Sequence, residues 1–150
     1  MLTRLLSLLP VGELFGISTP TNSVLCASIA VSLGAIPGAL SRYYITIGLA
    51  ERLGTGFPFG TFVINLSGTV LIGFFATLAN TAIFSSPNLQ RLVIIGFLGS
   101  YTTFSTYALD TSILLRSGSR VKSLVYGIGS IVLGGIGLEI GIFLAERLGN

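Results

Sequence analysis

The stretch GFLGSYTTFSTYALD, residues 96–110, is rich in hydroxyl groups and aromatic rings although it lies in an apolar part of the chain. Its hydroxyl side chains include a close group at Thr102, Thr103, Ser105 and Thr106. A single serine or threonine in a membrane helix commonly bonds back to a carbonyl of its own helix. Such a group beside glycines instead predicts a break near the middle of a helix. Irregular backbone at membrane depth must be buried in protein or line a cavity, so the freed carbonyls need a partner such as a small cation.

The composition identifies an integral membrane protein. The 150 residues are 51% hydrophobic and only 9% charged, whereas soluble domains carry roughly 25% charged residues. The net charge of +3 includes no basic run, which argues against a nucleic-acid partner. The chain has one cysteine and no histidine, so an intrachain disulfide, a thiolate metal cluster and histidine-based catalysis are all excluded. We therefore expect no enzymatic activity.

The apolar segments predict an all-α protein with four transmembrane helices. Each segment reaches the length of about 20 residues that a helix needs to cross a bilayer. The predicted spans are Ser23–Leu49, Gly60–Ile83, Leu92–Leu115 and Ser123–Ala145. The short connections between them predict an up-down-up-down arrangement. Residues 1–22 are expected to form an interfacial or disordered N-terminal tail, and residues 23–148 the membrane domain.

The distribution of basic residues does not select one orientation in the membrane. Cytoplasmic loops normally carry an excess of Lys and Arg near the span ends. One predicted side has three such residues and the other has four, namely Arg4, Arg91 and Arg147 against Arg52, Arg116, Arg120 and Lys122. Two hypotheses follow: a single orientation set by other factors, or insertion in both orientations with pairing into an antiparallel dimer.

Small-residue pairs predict where helices approach each other closely. The first span contains Gly34 and Gly38, and the fourth contains Gly137 and Gly141, each pair with GxxxG spacing. Small residues at this spacing allow the backbones of membrane helices to come together. We expect these faces to serve helix packing and oligomerisation.

Polar and aromatic residues within the second and third spans are candidates for a transport path. Asn65 offers two donors and an acceptor, and either bonds another helix or faces a permeating ion. Phe104 and Tyr107 are three residues apart and share a helix face. They either pack in a core or present their positive ring edges to a small anion.

Further polar residues lie in the outer parts of the spans. Tyr126 and Ser130, at i and i+4, would continue a row of donors along one helix face. Arg42 and Asp110 lie nearer the span ends, where they either reach toward water or pair with each other. Glu139 lies deeper in the fourth span, and the sequence leaves open whether it is protonated or bonded across an interface.

Three blocks of the sequence resemble the CrcB/Fluc family of fluoride channels. They are GAIPGALSRYYI at 34–45, GTFVINLSGTVLIGF at 60–74 and GFLGSYTTFSTYALD at 96–110, and the fourth span fits more loosely. The resemblance covers about Ser28–Leu148 and leaves the N-terminal tail outside it. It implies a passive, selective channel that exports fluoride across the cell membrane and so reduces fluoride toxicity in the cytoplasm. It also implies an antiparallel, dual-topology homodimer with two pores.

The resemblance assigns roles to particular residues of this chain. A structural sodium ion at the dimer centre would be held by the backbone carbonyls of Gly99 and Thr102. The fluoride path would include the donor, the two rings and the hydroxyl track, that is Asn65, Phe104, Tyr107, Ser105, Thr106, Tyr126 and Ser130. Arg42 and Asp110 would line the vestibules. The implied partners are fluoride, sodium, the lipid bilayer and a second copy of the chain.

The chain departs from the family pattern in three places. Tyr107 stands where the family commonly has phenylalanine, Gly134 where a further hydroxyl is common, and Asp110 where glutamate is common. The ring edge of Tyr107 is retained, but its added hydroxyl could contact or gate the ion. These departures bear on the rate of ion conduction and on selectivity for fluoride more than on the assignment to this class of channel.

Other functions fit the residues less well. Small multidrug exporters are also four-span, dual-topology dimers, but they couple to protons through a glutamate in the first span. The predicted first span here has Arg42 as its only charged residue. A non-transporting membrane subunit would leave the group of hydroxyls and rings unexplained. A fluoride pore explains it, because the donors can replace the water of a strongly hydrated anion.

Overall fold

The computed structural model describes residues 21–79 and 84–149, in which all regular secondary structure is helical. Helix α1 is Thr21–Leu53 and α2 is Phe59–Leu78. Helix α3, residues 87–101, consists of three consecutive helical segments, Pro87–Gln90, Arg91–Leu98 and Gly99–Tyr101, of which the second is a π-helix. Helix α4 is Phe104–Arg116 and α5 is Arg120–Gly149.

The prediction of four spans is confirmed. Four helical stretches are long and apolar enough to cross a membrane, namely Ser23–Leu53, Phe59–Leu78, Pro87–Arg116 and Arg120–Leu148. The third stretch combines α3 and α4. The predicted N-terminal tail lies outside the described residues, apart from the last two positions of residues 1–22, which begin α1.

Two glycines with positive φ end helices at one end of the bundle. Gly54 follows α1 with φ of 77°, and Gly118 lies between α4 and α5 with φ of 78°. Glycine adopts this left-handed conformation without the steric penalty that a Cβ would bring, so it commonly ends helices. Lys122 at the start of α5 donates to the Gly56 carbonyl at 3.3 Å, which places both connections at the same end.

The GxxxG faces are used for close packing inside the chain. A Cβ added at Gly34 would overlap the Leu92 carbonyl, so α1 lies directly against the π segment of α3. A Cβ at Gly141 would likewise overlap the Val70 carbonyl, so α5 lies directly against α2. The expected close approaches are therefore present, and they join α1 to α3 and α2 to α5.

Among the described residues, few side chains are fully buried at the centre of the bundle, while the outer faces of its helices are apolar and exposed. Ile64 and Leu98 are fully buried beside Tyr101. Large aliphatic side chains are more than half exposed along the outer face of α1, as at Leu33 and Ile36. Exposed apolar side chains of this kind suit lipid tails or a second protein copy as surroundings.

We expect Gly34→Ala to lower the free energy of unfolding by about 1–3 kcal/mol, because overpacking forces the neighbouring backbone to move. Gly48→Ala is the matched control on the same helix, since a Cβ there meets nothing within 4 Å. Denaturant unfolding of both variants in detergent measures the difference. Equal stability of the two variants would contradict the close packing of α1 on α3.

Candidate functional site

The third span is interrupted by two residues with extended backbone. Thr102 has φ of −79° and ψ of 156°, and Thr103 has φ of −152° and ψ of 114°. Helix α3 ends just before them and α4 begins just after them. The peptide of Thr103 therefore needs hydrogen-bond partners other than those of a continuous helix.

Asn65 on α2 supplies those partners. Its Oδ1 accepts from the Thr103 N–H at 2.8 Å, and its Nδ2 donates to the Thr103 carbonyl at 3.0 Å. A carboxamide has the same donor and acceptor as a peptide group, so it can pair with both the N–H and the carbonyl of Thr103, which belong to the two peptide groups on either side of this residue. The sequence left open whether Asn65 bonds another helix or faces a permeating ion. In the structure it makes the interhelical bond.

The side chain of Thr103 starts α4. Its Oγ1 accepts from the Thr106 N–H at 3.3 Å, as the N-cap residue of a helix does. The same oxygen lies 3.0 Å from the Thr106 hydroxyl and 3.2 Å from the Ser105 hydroxyl. Three hydroxyl groups therefore meet at the first turn of α4. Thr103 belongs to the group of hydroxyl residues that the sequence marks, but its capping role was not predicted.

These bonds release the two carbonyls that were expected to hold sodium. In a continuous helix the Gly99 carbonyl would accept from the Thr103 N–H, and the Thr102 carbonyl from the Thr106 N–H. The first N–H is bonded to Asn65 and the second to the Thr103 hydroxyl. Among the described residues, a Cβ added at Gly99 would meet only the Ile94 carbonyl, at 3.9 Å, so this side of α3 is open to the surroundings of that part of the chain. Both residues therefore fit the chemistry of a cation site built from backbone oxygens.

A series of aromatic rings runs from the break toward the loop end of the bundle. The Phe104 and Tyr107 ring centroids are 5.6 Å apart, and those of Tyr107 and Tyr126 are 5.5 Å apart. Tyr126 in turn meets Phe57 edge-on at 5.5 Å. Exposure changes sharply along the series, since Phe104 is 80% exposed while Tyr126 is fully buried.

The hydroxyl of Tyr107 is engaged within the chain. It donates to the Gly127 carbonyl on α5 at 2.8 Å and so ties α4 to α5. A phenol has a single proton to donate, so this bond directs it away from any ligand beside the ring. Tyr107 is half-buried, and its ring packs against those of Phe104 and Tyr126.

Asp110 is bonded by hydroxyl groups of two other helices. Its Oδ2 accepts from the Thr61 hydroxyl at 2.7 Å and from the Tyr126 hydroxyl at 3.4 Å. The bond from Thr61 was not predicted from the sequence, in which Arg42 was a candidate partner of Asp110. No local pattern in the sequence predicts this bond, because Thr61 and Asp110 are 49 positions apart.

Ser130 and Glu139 lie on different parts of α5. The Ser130 Oγ is a buried side-chain atom that lacks a hydrogen-bond partner among the described residues. A buried hydroxyl usually has a partner, so Ser130 is a donor available to water or an ion. Glu139 is exposed. Gly134 faces Thr69, whose Cγ2 would lie 3.7 Å from an added Cβ.

Two cavities open beside these groups. The larger has a volume of about 450 Å³, and its lining includes Arg42, Thr103 and Thr106. The smaller has a volume of about 200 Å³ and lies between the 54–60 segment and Asp110. Thr46 lines both. The larger cavity thus combines a cationic side chain with the hydroxyls at the break, whereas the smaller one contains a carboxylate.

The fold and this site define a four-span membrane protein with a polar interruption in its third span. The family model described as "CrcB-like protein, Camphor Resistance (CrcB)" matches residues 29–142. The chain belongs to this family, which confirms the resemblance seen in the sequence. It is accordingly a multi-pass protein of the cell membrane.

The chain is similar to curated proteins named "Fluoride-specific ion channel FluC". It is 51% identical over 120 residues to the one from Synechocystis sp., an alignment that covers 80% of this chain and 92% of the relative. It is 52% identical over 117 residues to the one from Synechococcus sp., covering 78% and 90%. The relative from Chloroflexus aurantiacus is 40% identical over 122 residues, covering 81% and 97%.

We expect Tyr107→Phe to lower the free energy of unfolding by about 1 kcal/mol, the net value of one hydrogen bond, because the tie to Gly127 is lost. The measurement is denaturant unfolding of the purified protein. Tyr43→Phe is the matched control, since Tyr43 is a largely exposed tyrosine on α1 and should change stability by less than about 0.5 kcal/mol. An equal loss in both variants would contradict the role of the tie.

Proposed function

We propose that this chain forms a passive, selective fluoride channel that exports fluoride from the cytoplasm and so reduces its toxicity. The observation that carries the proposal is the family membership together with the high identity to proteins named fluoride-specific ion channels. Flux through such a channel is downhill and needs no enzymatic step. The donors and rings around the break supply the chemistry that fluoride requires.

The hydrogen-bond donors at the break replace the water around the ion. Fluoride is small and strongly hydrated, so a pore must offer donors that are strong enough to admit it and weak enough to release it. Asn65 has one amide N–H beyond the one that donates to Thr103. Ser105 and Thr106 add hydroxyls at the first turn of α4, and the Ser130 hydroxyl continues the row on α5 beyond Tyr126.

Ring edges form the other contact with the ion. The exposed Phe104 ring and the neighbouring Tyr107 ring present C–H edges, which are the positive part of an aromatic quadrupole. The Tyr107 hydroxyl stays on the Gly127 carbonyl, so Tyr107 acts toward fluoride as a phenylalanine does. The substitution of tyrosine for the family's usual residue is then compatible with conduction.

The cavities serve as vestibules. Arg42 places a positive charge in the larger cavity, next to Thr103 and Thr106, and thereby raises the local concentration of anions. Asp110 lines the smaller cavity, where its carboxylate is held by Thr61 and Tyr126. Because Arg42 lines the larger cavity and Asp110 the smaller one, the larger cavity is the better entrance for an anion.

We infer further that two copies insert in opposite orientations and pair as an antiparallel homodimer around a sodium ion. The carbonyls of Gly99 and Thr102 would hold the ion, since both have lost their helical donors. The open side of α3 at Gly99 and the exposure of Phe104 both leave room for a second copy. The nearly even distribution of basic residues between the two sides supports insertion in both orientations.

Ion efflux from liposomes that contain the purified protein tests the proposed function. With sodium present, fluoride should leave rapidly and chloride should not. No fluoride release from folded dimers would refute the proposal, and drug-proton exchange would then be the activity to examine. That alternative, a small multidrug/proton exporter, has little support, because the acidic residue of α1 is Glu51 in its last turn.

Phe104→Ile should reduce fluoride efflux at least about tenfold, because the lost ring contact corresponds to about 1.4 kcal/mol at a rate-limiting position. Phe143→Ile is the matched control, since Phe143 is an exposed ring on α5 that contacts Arg147. Efflux from liposomes with equal protein content measures both variants. Unchanged efflux in Phe104→Ile would assign Phe104 to packing alone.

Gly99→Leu should abolish dimer formation while the single chain still folds. The added side chain has space within one chain, but it would fill the site where the second copy and the ion are proposed to meet. Helical content by circular dichroism and the mass of the detergent-solubilised protein give the two readouts. Gly48→Leu, at another open position, should remain dimeric. A dimeric Gly99→Leu variant would contradict the placement of the dimer centre.

A further inference from the structure

We propose that Asn65 is the positioning residue of the cation site, and that the Thr103 hydroxyl acts with it. The two side chains remove the N–H groups that would otherwise compete with the ion for its carbonyls. The inference rests on the proposed sodium site. It gives Asn65, which also lies on the proposed fluoride path, a second role. Fluoride passage and sodium binding then depend on the same amide.

The first carbonyl depends on Asn65. A continuous third helix would place the Thr103 N–H on the Gly99 carbonyl. Asn65 Oδ1 captures that N–H at 2.8 Å, which is a short and therefore favourable bond. The Gly99 carbonyl consequently keeps its lone pairs available.

Only a carboxamide of this length pairs with both the N–H and the carbonyl of Thr103. The Nδ2 group of Asn65 donates to the Thr103 carbonyl at 3.0 Å, while Oδ1 accepts from the N–H. Leucine would fill a similar volume but could neither accept nor donate. An aspartate would accept from the N–H but would place a second oxygen against the Thr103 carbonyl. The pairing is therefore specific for the amide.

The second carbonyl depends on the Thr103 side chain. Its Oγ1 accepts from the Thr106 N–H, which would otherwise be the helical donor to the Thr102 carbonyl. Valine at this position keeps the β-branched shape that suits extended backbone but has no oxygen to accept the bond. Thr103→Val therefore frees the Thr106 N–H to compete for the Thr102 carbonyl, as Asn65→Leu frees the Thr103 N–H to compete for the Gly99 carbonyl.

The test measures how sodium stabilises the purified protein against thermal unfolding in detergent, with potassium as the reference cation. A ligand that binds the folded state raises the unfolding temperature as its concentration rises. We expect Asn65→Leu and Thr103→Val to need about tenfold more sodium than the parent protein for an equal rise, since a regained hydrogen bond competes with the ion. If a substitution only removed a stabilising contact, the unfolding temperature would fall equally in sodium and in potassium. The sodium concentration needed for a given rise would then be unchanged.

Thr77→Val is the matched control. Thr77 lies on the same helix as Asn65, and its hydroxyl bonds back to the Gly73 carbonyl of that helix at 2.8 Å. This variant should keep the sodium requirement of the parent protein. If Asn65→Leu does not fold, Thr103→Val still tests the same mechanism on the second carbonyl.

The outcomes separate this inference from the proposed function. An unchanged sodium requirement in both variants, with reduced fluoride efflux in Asn65→Leu, would overturn the inference and leave Asn65 as a fluoride donor alone. The absence of any sodium effect on the parent protein would overturn the cation site and the positioning role together, even if fluoride flows. A sodium effect with the predicted shifts but no fluoride efflux would support the positioning role and refute the channel.

Discussion

The pair of hydrogen bonds between Asn65 and the Thr103 peptide is the constraint on which the centre of this protein depends. A backbone group without a partner is costly inside a bilayer, so an interrupted span needs an internal substitute for the helical bonds. The Asn65 amide is that substitute, because it accepts from the Thr103 N–H and donates to the Thr103 carbonyl. The break can then persist at a depth where a continuous helix would otherwise be favoured.

The glycine contacts hold this pair in place. Close packing of α5 against α2 at Gly141 fixes the helix that carries Asn65. Close packing of α1 against α3 at Gly34 fixes the helix that ends at the break. The Tyr107 hydroxyl then ties α4 to α5, so both sides of the break are anchored to separate helices. The rings and hydroxyls that face the proposed fluoride path are positioned by these contacts rather than by the path itself.

The sequence predicted the four spans because hydropathy over about 20 residues is a local property of the chain. It also marked Asn65 and the hydroxyls near Thr103, because polar residues in such spans are rare. It did not predict that Thr61 would bond Asp110, since the two residues are 49 positions apart and meet only through the rotation of their helices. The interhelical bonds of Asn65 likewise depend on the register of α2 against the break, which the sequence does not show.

The most direct test is an experimental structure of the protein in lipid, with sodium and fluoride present. It should contain two antiparallel copies, with the Asn65 amide paired to Thr103 and cation density beside the carbonyls of Gly99 and Thr102. A continuous third helix, with the Thr103 N–H bonded to the Gly99 carbonyl, would contradict this arrangement. So would a cation found elsewhere while these two carbonyls are occupied by helical donors.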